Sequence, residues 1–162
     1  MIRTALAALS LSLFPLSASA QQAPMLTSVS PEMLEGLVAR MEGHSVAALG
    51  ELGTTSVRAV SDSGLNYVLV GTSCDEVGTS CGGLDMKVYF AVESVDYERL
   101  NMANLKWSAA STWYDPDAGA LGVSTYMILD YGQTVENVEF ALKVLLSIAP
   151  ESFKYVMGQT EQ

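Results

Sequence analysis

The chain has 162 residues, of which 49% are hydrophobic and 16% charged, and eighteen acids against eight bases leave a net charge of −10. That length fits one domain, and the apolar share excludes an extended acidic tail or a wholly disordered chain. The acidity lacks the electrostatic footprint of a nucleic-acid binder and opposes adhesion to anionic lipid surfaces.

Residues 1–20 read as a secretory signal. Arg3 supplies the positive start, Thr4 to Leu16 is apolar and uncharged, and Ala18-Ser19-Ala20 offers the small residues a signal peptidase requires. The apolar run falls short of the about 20 residues a membrane span needs. Removal before Gln21 leaves 142 residues and, with Arg3 the one charge lost, a net charge of −11. No stable membrane insertion is expected after cleavage.

A mobile leading segment is expected over residues 21–29, a single domain over 30–158, and a short tail over 159–162. Ser30-Pro31-Glu32 marks a helix start, with a capping hydroxyl, a proline at the first helical position and an acid at the positive end of the dipole. Leu34, Leu37, Val38 and Met41 follow helical spacing, and Gly43 ends the run. Ser45–Leu52 is a weak strand, followed by stronger ones over 54–61, 65–73 and 84–93, rich in β-branched and aromatic residues. Ser94 or Asp96 starts a second helix with Tyr97, Leu100, Ala103 and Trp107 on one side. Residues 108–114 and 121–131 form a second strand pair around the turn Asp115-Pro116-Asp117-Ala118-Gly119. Thr134 caps a last helix with a stripe of Val138, Ala141, Val144, Leu145 and Ile148. In it Glu139 is placed to reach Lys143. Pro150 is expected to break it, with a short separate helix over 153–157. The short strand connections predict an α+β fold: a twisted antiparallel sheet of about five to six strands with three main helices.

Candidate chemistry is sparse. Cys74 and Cys81, the two cysteines, flank a turn-rich loop between strong strands, and in an exported chain such a pair is expected to be oxidised. Their spacing is not C-x-x-C, and with one distant histidine they make a poor zinc set. His44, the sole histidine, follows the helix-ending Gly43 and reads as a surface or helix-capping histidine near the negative end of the dipole. Asp115 and Asp117 partly match a calcium loop without its remaining ligands, so a hairpin turn accounts for them. Asn101 and Asn104 share a helix face beside Trp107; such amides usually satisfy backbone groups, with a ligand-binding surface as the alternative. Trp107, Trp113, Tyr89, Phe90, Tyr114 and Tyr126 lie in or beside strands, mostly as core. Val68-Leu69-Val70 and Met127-Ile128-Leu129 place apolar residues on both faces of the sheet, more than three helices can cover. The surplus calls for a second copy or a bound partner segment.

The order of motifs resembles a known group. The strand ending in Cys74, Cys81 followed by Leu84-Asp85-Met86-Lys87-Val88-Tyr89-Phe90, Asn101-Met102-Ala103-Asn104, the Tyr114-Asp115-x-Asp117 hairpin and Leu129-Asp130-Tyr131-Gly132-x-Thr134 recur in that order in the YbjN-domain family of bacterial proteins. The resemblance spans residues 30–157. It implies a fold similar to type III secretion chaperones, which bind polypeptides and often dimerise, and a label of sensory transduction regulator without defined activity or cofactor. The family has tryptophan between the two asparagines and an arginine shortly after, where this chain has Ala103 and then Lys106-Trp107.

These readings converge on an exported, non-enzymatic module of the bacterial periplasm or exterior that binds a protein or peptide through its sheet or second helix. A homodimer is one form this binding takes, and no cofactor or metal is expected. The alternatives are a small-ligand sensor and an enzyme using two carboxylates from Asp75, Glu76, Asp85, Asp115 and Asp117. Intact-mass measurement of the exported protein should give a chain beginning at Gln21 with no free thiol until reductant is added; a free thiol before reduction would contradict the disulfide.

Overall fold

A computed structural model describes residues 24–159. The signal expected over residues 1–20 lies outside the described residues, as do residues 160–162 of the tail. In chain order the elements are β1 (Met25–Leu26), α1 (Pro31–Arg40), β2 (Ser45–Leu49), β3 (Ser56–Val60), β4 (Asn66–Cys74), β5 (Cys81–Ala91), α2 (Tyr97–Lys106), β6 (Ser111–Asp115), β7 (Ala120–Ile128), β8 (Gln133–Thr134) and α3 (Val135–Val156). Six strands form one antiparallel sheet in the order β2-β3-β4-β5-β7-β6, and β1 pairs with β8 in a second small sheet. From Met25 onward the leading segment is tied to the domain. Val29 is fully buried, and its amide and carbonyl both bond to Cys81 at 2.9 Å.

The helix starts follow local chemistry. The Ser30 hydroxyl accepts from the Met33 amide and donates to Glu32, which holds that carboxyl below its usual range. Asp96, rather than Ser94, caps α2 by accepting from the Glu98 and Arg99 amides. Thr134 caps α3 through the Asn137 amide.

Strand alternation sorts the sheet into two faces. Val57, Ala59, Tyr67, Leu69, Leu84, Met86, Val88 and Val123 point inward onto α1 and α3, joined by Leu34, Leu37, Val38 and Met41 from α1 as the helical spacing predicts. A smaller cluster of Ala103, Leu121 and Val156 lies beneath α2, and Phe90 packs against both clusters, stacking on Phe153 at 4.5 Å. Gly71 has no room for a side chain: a Cβ there would stand 2.6 Å from Thr55 and 2.7 Å from the Cys81 sulfur.

Three expectations about α3 are corrected. It runs unbroken through Pro150. Val138, Leu142, Leu145, Ala149, Ser152 and Val156 form one buried stripe on both sides of the proline, so tertiary packing carries the helix across the hydrogen bond the ring forfeits. Ala141, Val144 and Ile148, expected in that stripe, are only half-buried at its border. Glu139 pairs with Arg40 of α1 rather than with Lys143, because the guanidinium from the neighbouring helix lies within reach of its carboxylate. This contact holds the Arg40 proton even more firmly than usual.

Candidate functional site

The outward face of the sheet carries what the helices leave uncovered. Register places Arg58, Val68, Lys87, Ser124 and Ser111 in one row across the strands, and Tyr89, Gly122 and Trp113 in the next. Asp85 and Tyr126 lie opposite each other, followed by Gly83 and Ile128. No described element packs on this face. Tyr126 is 52% exposed, Ile128 59% and Tyr89 40%, so three large apolar side chains stand open on adjoining strands. The sequence expectation that most of these aromatics are core is therefore corrected. Alternation sends Tyr89, Trp113 and Tyr126 to the side without helices, while Phe90 and Tyr114 turn toward them.

Two strand glycines shape the surface. A Cβ on Gly122 would collide with three ring atoms of Trp113, so the indole lies across that glycine, with its Nε1–H donated to Ser124 at 3.1 Å. Tyr89 meets it nearly at right angles, 83° between planes and 5.6 Å between centroids. Tyr126 reaches over Gly83, where its hydroxyl accepts from Thr72 at 3.3 Å. Beside Tyr89 opens a groove of 560 Å³ lined by Leu52, Arg58, Asn66, Val68 and Ala120.

Both cations of the face are matched by carboxylates. Arg58 pairs with Glu51, and Lys87 with Asp85 at 2.8 Å. Burial would lower the Lys87 pKa, but the hydrogen bond and charge of Asp85 outweigh it and hold the ammonium above its ordinary value.

The second helix has a different role for each residue singled out in the sequence. Asn104 brackets the edge strand β6: its amide donates to the Thr112 carbonyl at 3.0 Å, its oxygen accepts the Thr112 amide at 2.8 Å, and the same NH₂ donates to Leu100 at 3.2 Å. That is the backbone-satisfying use of an amide, and it occupies groups an edge strand would otherwise offer to another chain. Trp107 is half-buried against Tyr155, with the Lys106 ammonium 4.8 Å from one ring and 5.0 Å from the other. Asn101 is exposed, beside Met102 and Leu105, which are exposed as well. Of the three residues, Asn104 is committed to β6 and Trp107, just past the end of α2, to Tyr155, while Asn101 faces solvent.

Cys74 and Cys81 form the expected disulfide, S–S 2.07 Å, opposite each other at the end of β4 and the start of β5. Within the loop it closes, Asp75 accepts the Thr79 amide at 2.8 Å, which holds its carboxyl below the usual range. The acids considered for catalysis occupy separate places. Asp75 and Glu76 sit in this loop, Asp85 is paired on β5, and Asp115 closes the β6–β7 turn by accepting from the Asp117 and Ala118 amides. Among the described residues no three of His, Cys, Asp and Glu gather as a metal site.

His44 is corrected from surface to interior. Its side chain is 6% exposed, sharing a hydrogen bond with the Tyr67 hydroxyl at 2.9 Å, and its Nε2 lies 4.0 Å from Asp62. Gly43 makes this arrangement: its φ is +77°, and a Cβ would stand 2.8 Å from that of Asp62, so the β3–β4 turn closes over the histidine. Burial pushes the Tyr67 hydroxyl up to about 12. Sequence reasoning did not single out Gly83, Gly122 or Arg58; the signal was there in glycines set inside strong strands, which mark close approach of other atoms.

No protein-family profile and no curated protein matches the sequence. Among solved structures, a chain from the crystal structure of the ExsC–ExsE complex matches with a TM-score of 0.54 and 17% identity, covering 78% of this chain and 95% of that one. A chain from the HopA1–SchA chaperone–effector complex matches with a TM-score of 0.51 and 12% identity, covering 78% of this chain and 91% of that one. Identities this low speak for the fold alone. They establish the α+β architecture expected from the sequence, of the type III secretion chaperone kind.

The Asn104 bracket separates the two amides experimentally. Asn104→Ala strands the nearly buried Thr112 backbone groups and should lower unfolding free energy by about 1–3 kcal/mol. Asn101→Ala should change it by no more than about 0.5 kcal/mol. Chemical denaturation of both variants reads the difference.

Proposed function

We propose that this protein is an exported, non-enzymatic binding module of chaperone-like type that engages a protein or peptide through the outward face of its sheet, with the exposed side of α2 as an adjoining surface. The observation that carries this reading is the exposure of Tyr89, Tyr126 and Ile128 on one face of a six-stranded sheet whose helices all lie on the other face. Exposed apolar residues on adjoining strands mark an interaction site rather than ordinary surface. The neighbouring structures, one of them a chaperone–effector complex, support a binding role for the same architecture.

The disulfide supports placement outside the reducing cytoplasm, in the periplasm or beyond it. No helix among the described residues is long and apolar enough to cross a membrane. Membership of the YbjN-domain family belongs to this proposal and rests on motif order. On α2, Asn101, Met102 and Leu105 extend the surface and offer a contact for a second copy of the chain.

Affinity capture from envelope extract tests the site. The unaltered chain and the variant Phe140→Ser, changed at an exposed phenylalanine of α3, should retain the same partner. Tyr126→Ser combined with Ile128→Ser should lose it, with stability altered by about 0.5 kcal/mol or less per exposed site. Retention of that partner by the double variant would overturn the assignment to the outward face.

A further inference from the structure

We propose that the segment bound on the outward face is uncharged and proline-rich, held as a polyproline II helix. This rests on the protein-binding reading above and names the chemistry of its partner. A polyproline II helix has no internal hydrogen bonds. It presents rigid pyrrolidine rings that seek aromatic surfaces and carbonyls that need donors, and it brings few N–H groups of its own.

The face supplies those complements. Trp113 lies along the sheet over Gly122 and Tyr89 stands almost perpendicular to it, so the pair makes a step with an aromatic floor and an aromatic wall. On the other side of Tyr89 the groove continues over Val68 and Leu52. Donors border this path. The Arg58 guanidinium and the exposed Asn66 amide lie in the groove.

Charge and length narrow the occupant further. Arg58 and Lys87 are each held by a carboxylate, so the face is locally neutral on a chain of net charge −10. A neutral segment docks there without burying an unpaired charge, whereas a strongly charged one finds no counter-charge free. From Arg58 on β3 to Trp113 on β6 the path crosses five adjacent strands, roughly 19 Å at the usual strand spacing. A polyproline II helix rising about 3.1 Å per residue covers that distance in about six residues. Being already extended, it loses little conformational freedom on docking.

The test is a fluorescence titration of the whole chain carrying Trp107→Phe, which leaves Trp113 as the one tryptophan. Decaproline should change Trp113 emission saturably, and a Gly-Ser decapeptide should not. Tyr89→Ala should weaken binding about two- to tenfold, given the worth of an aromatic contact. Arg58→Ala, at an exposed position, should weaken it several-fold without disturbing the far-UV circular dichroism. No saturable change at millimolar decaproline, or an equal response to the Gly-Ser peptide, would overturn the proposal. So would a response to maltohexaose but not decaproline, which assigns the aromatic step to sugar stacking. Concentration-dependent dimerisation abolished by Tyr89→Ala would overturn it too, giving the face to a second copy. If decaproline fails while the Tyr126→Ser, Ile128→Ser variant still loses its captured partner, the binding function stands and the partner chemistry alone falls.

Discussion

A six-stranded antiparallel sheet has two faces, and this chain has helices for one of them. Every other feature follows from that imbalance. Alternation divides each strand's residues between the faces. The inward set, from Val57 on β3 to Val123 on β7, is sealed by α1 and α3 into a core with no exposed member. The outward set has nothing described above it. Its cations are therefore paired by carboxylates, its aromatics lie down over glycines, and Tyr89, Tyr126 and Ile128 stay exposed.

Edges are the second consequence of an open sheet. On β6 the chain guards its edge with Asn104, whose amide takes both free hydrogen-bonding groups of Thr112. This explains how α2 holds its place with one fully buried residue, Ala103. Underneath, the Thr112 hydroxyl bonds to that of Ser152 at 2.8 Å, tying the same strand residue to α3. The other edge, β2, is interrupted by a register shift between Val46 and Ala48, a bulge of the kind that spoils an edge for continued pairing.

Local signals in the sequence were legible because their chemistry is local. Ser30-Pro31-Glu32 and Thr134 cap the helices as read, the strong strands fall within a few residues of their expected spans, and the two cysteines pair. What was not legible depends on residues far apart in the chain. Pro150 is a helix breaker by its own chemistry, yet it sits inside α3 because Ala149, Ser152 and Val156 are buried against strands the local pattern cannot see. Glu139 chose Arg40, 99 residues away, over Lys143, four residues away. His44 looked like a surface cap until the β3–β4 turn folded over it. Alternation shows that Tyr89 and Phe90 point to opposite sides. It does not say which side receives the helices, so the candidate surface became visible only with the topology.

The account stands on the outward face being occupied in the working protein. The most direct measurement places a photo-crosslinking benzoylphenylalanine at Tyr126 and, as a control, at the exposed Phe140 of α3, in cells expressing the protein. The account predicts a discrete crosslinked adduct from the Tyr126 position on illumination and none of that size from Phe140. No adduct at Tyr126, or the same adduct from both positions, would contradict it.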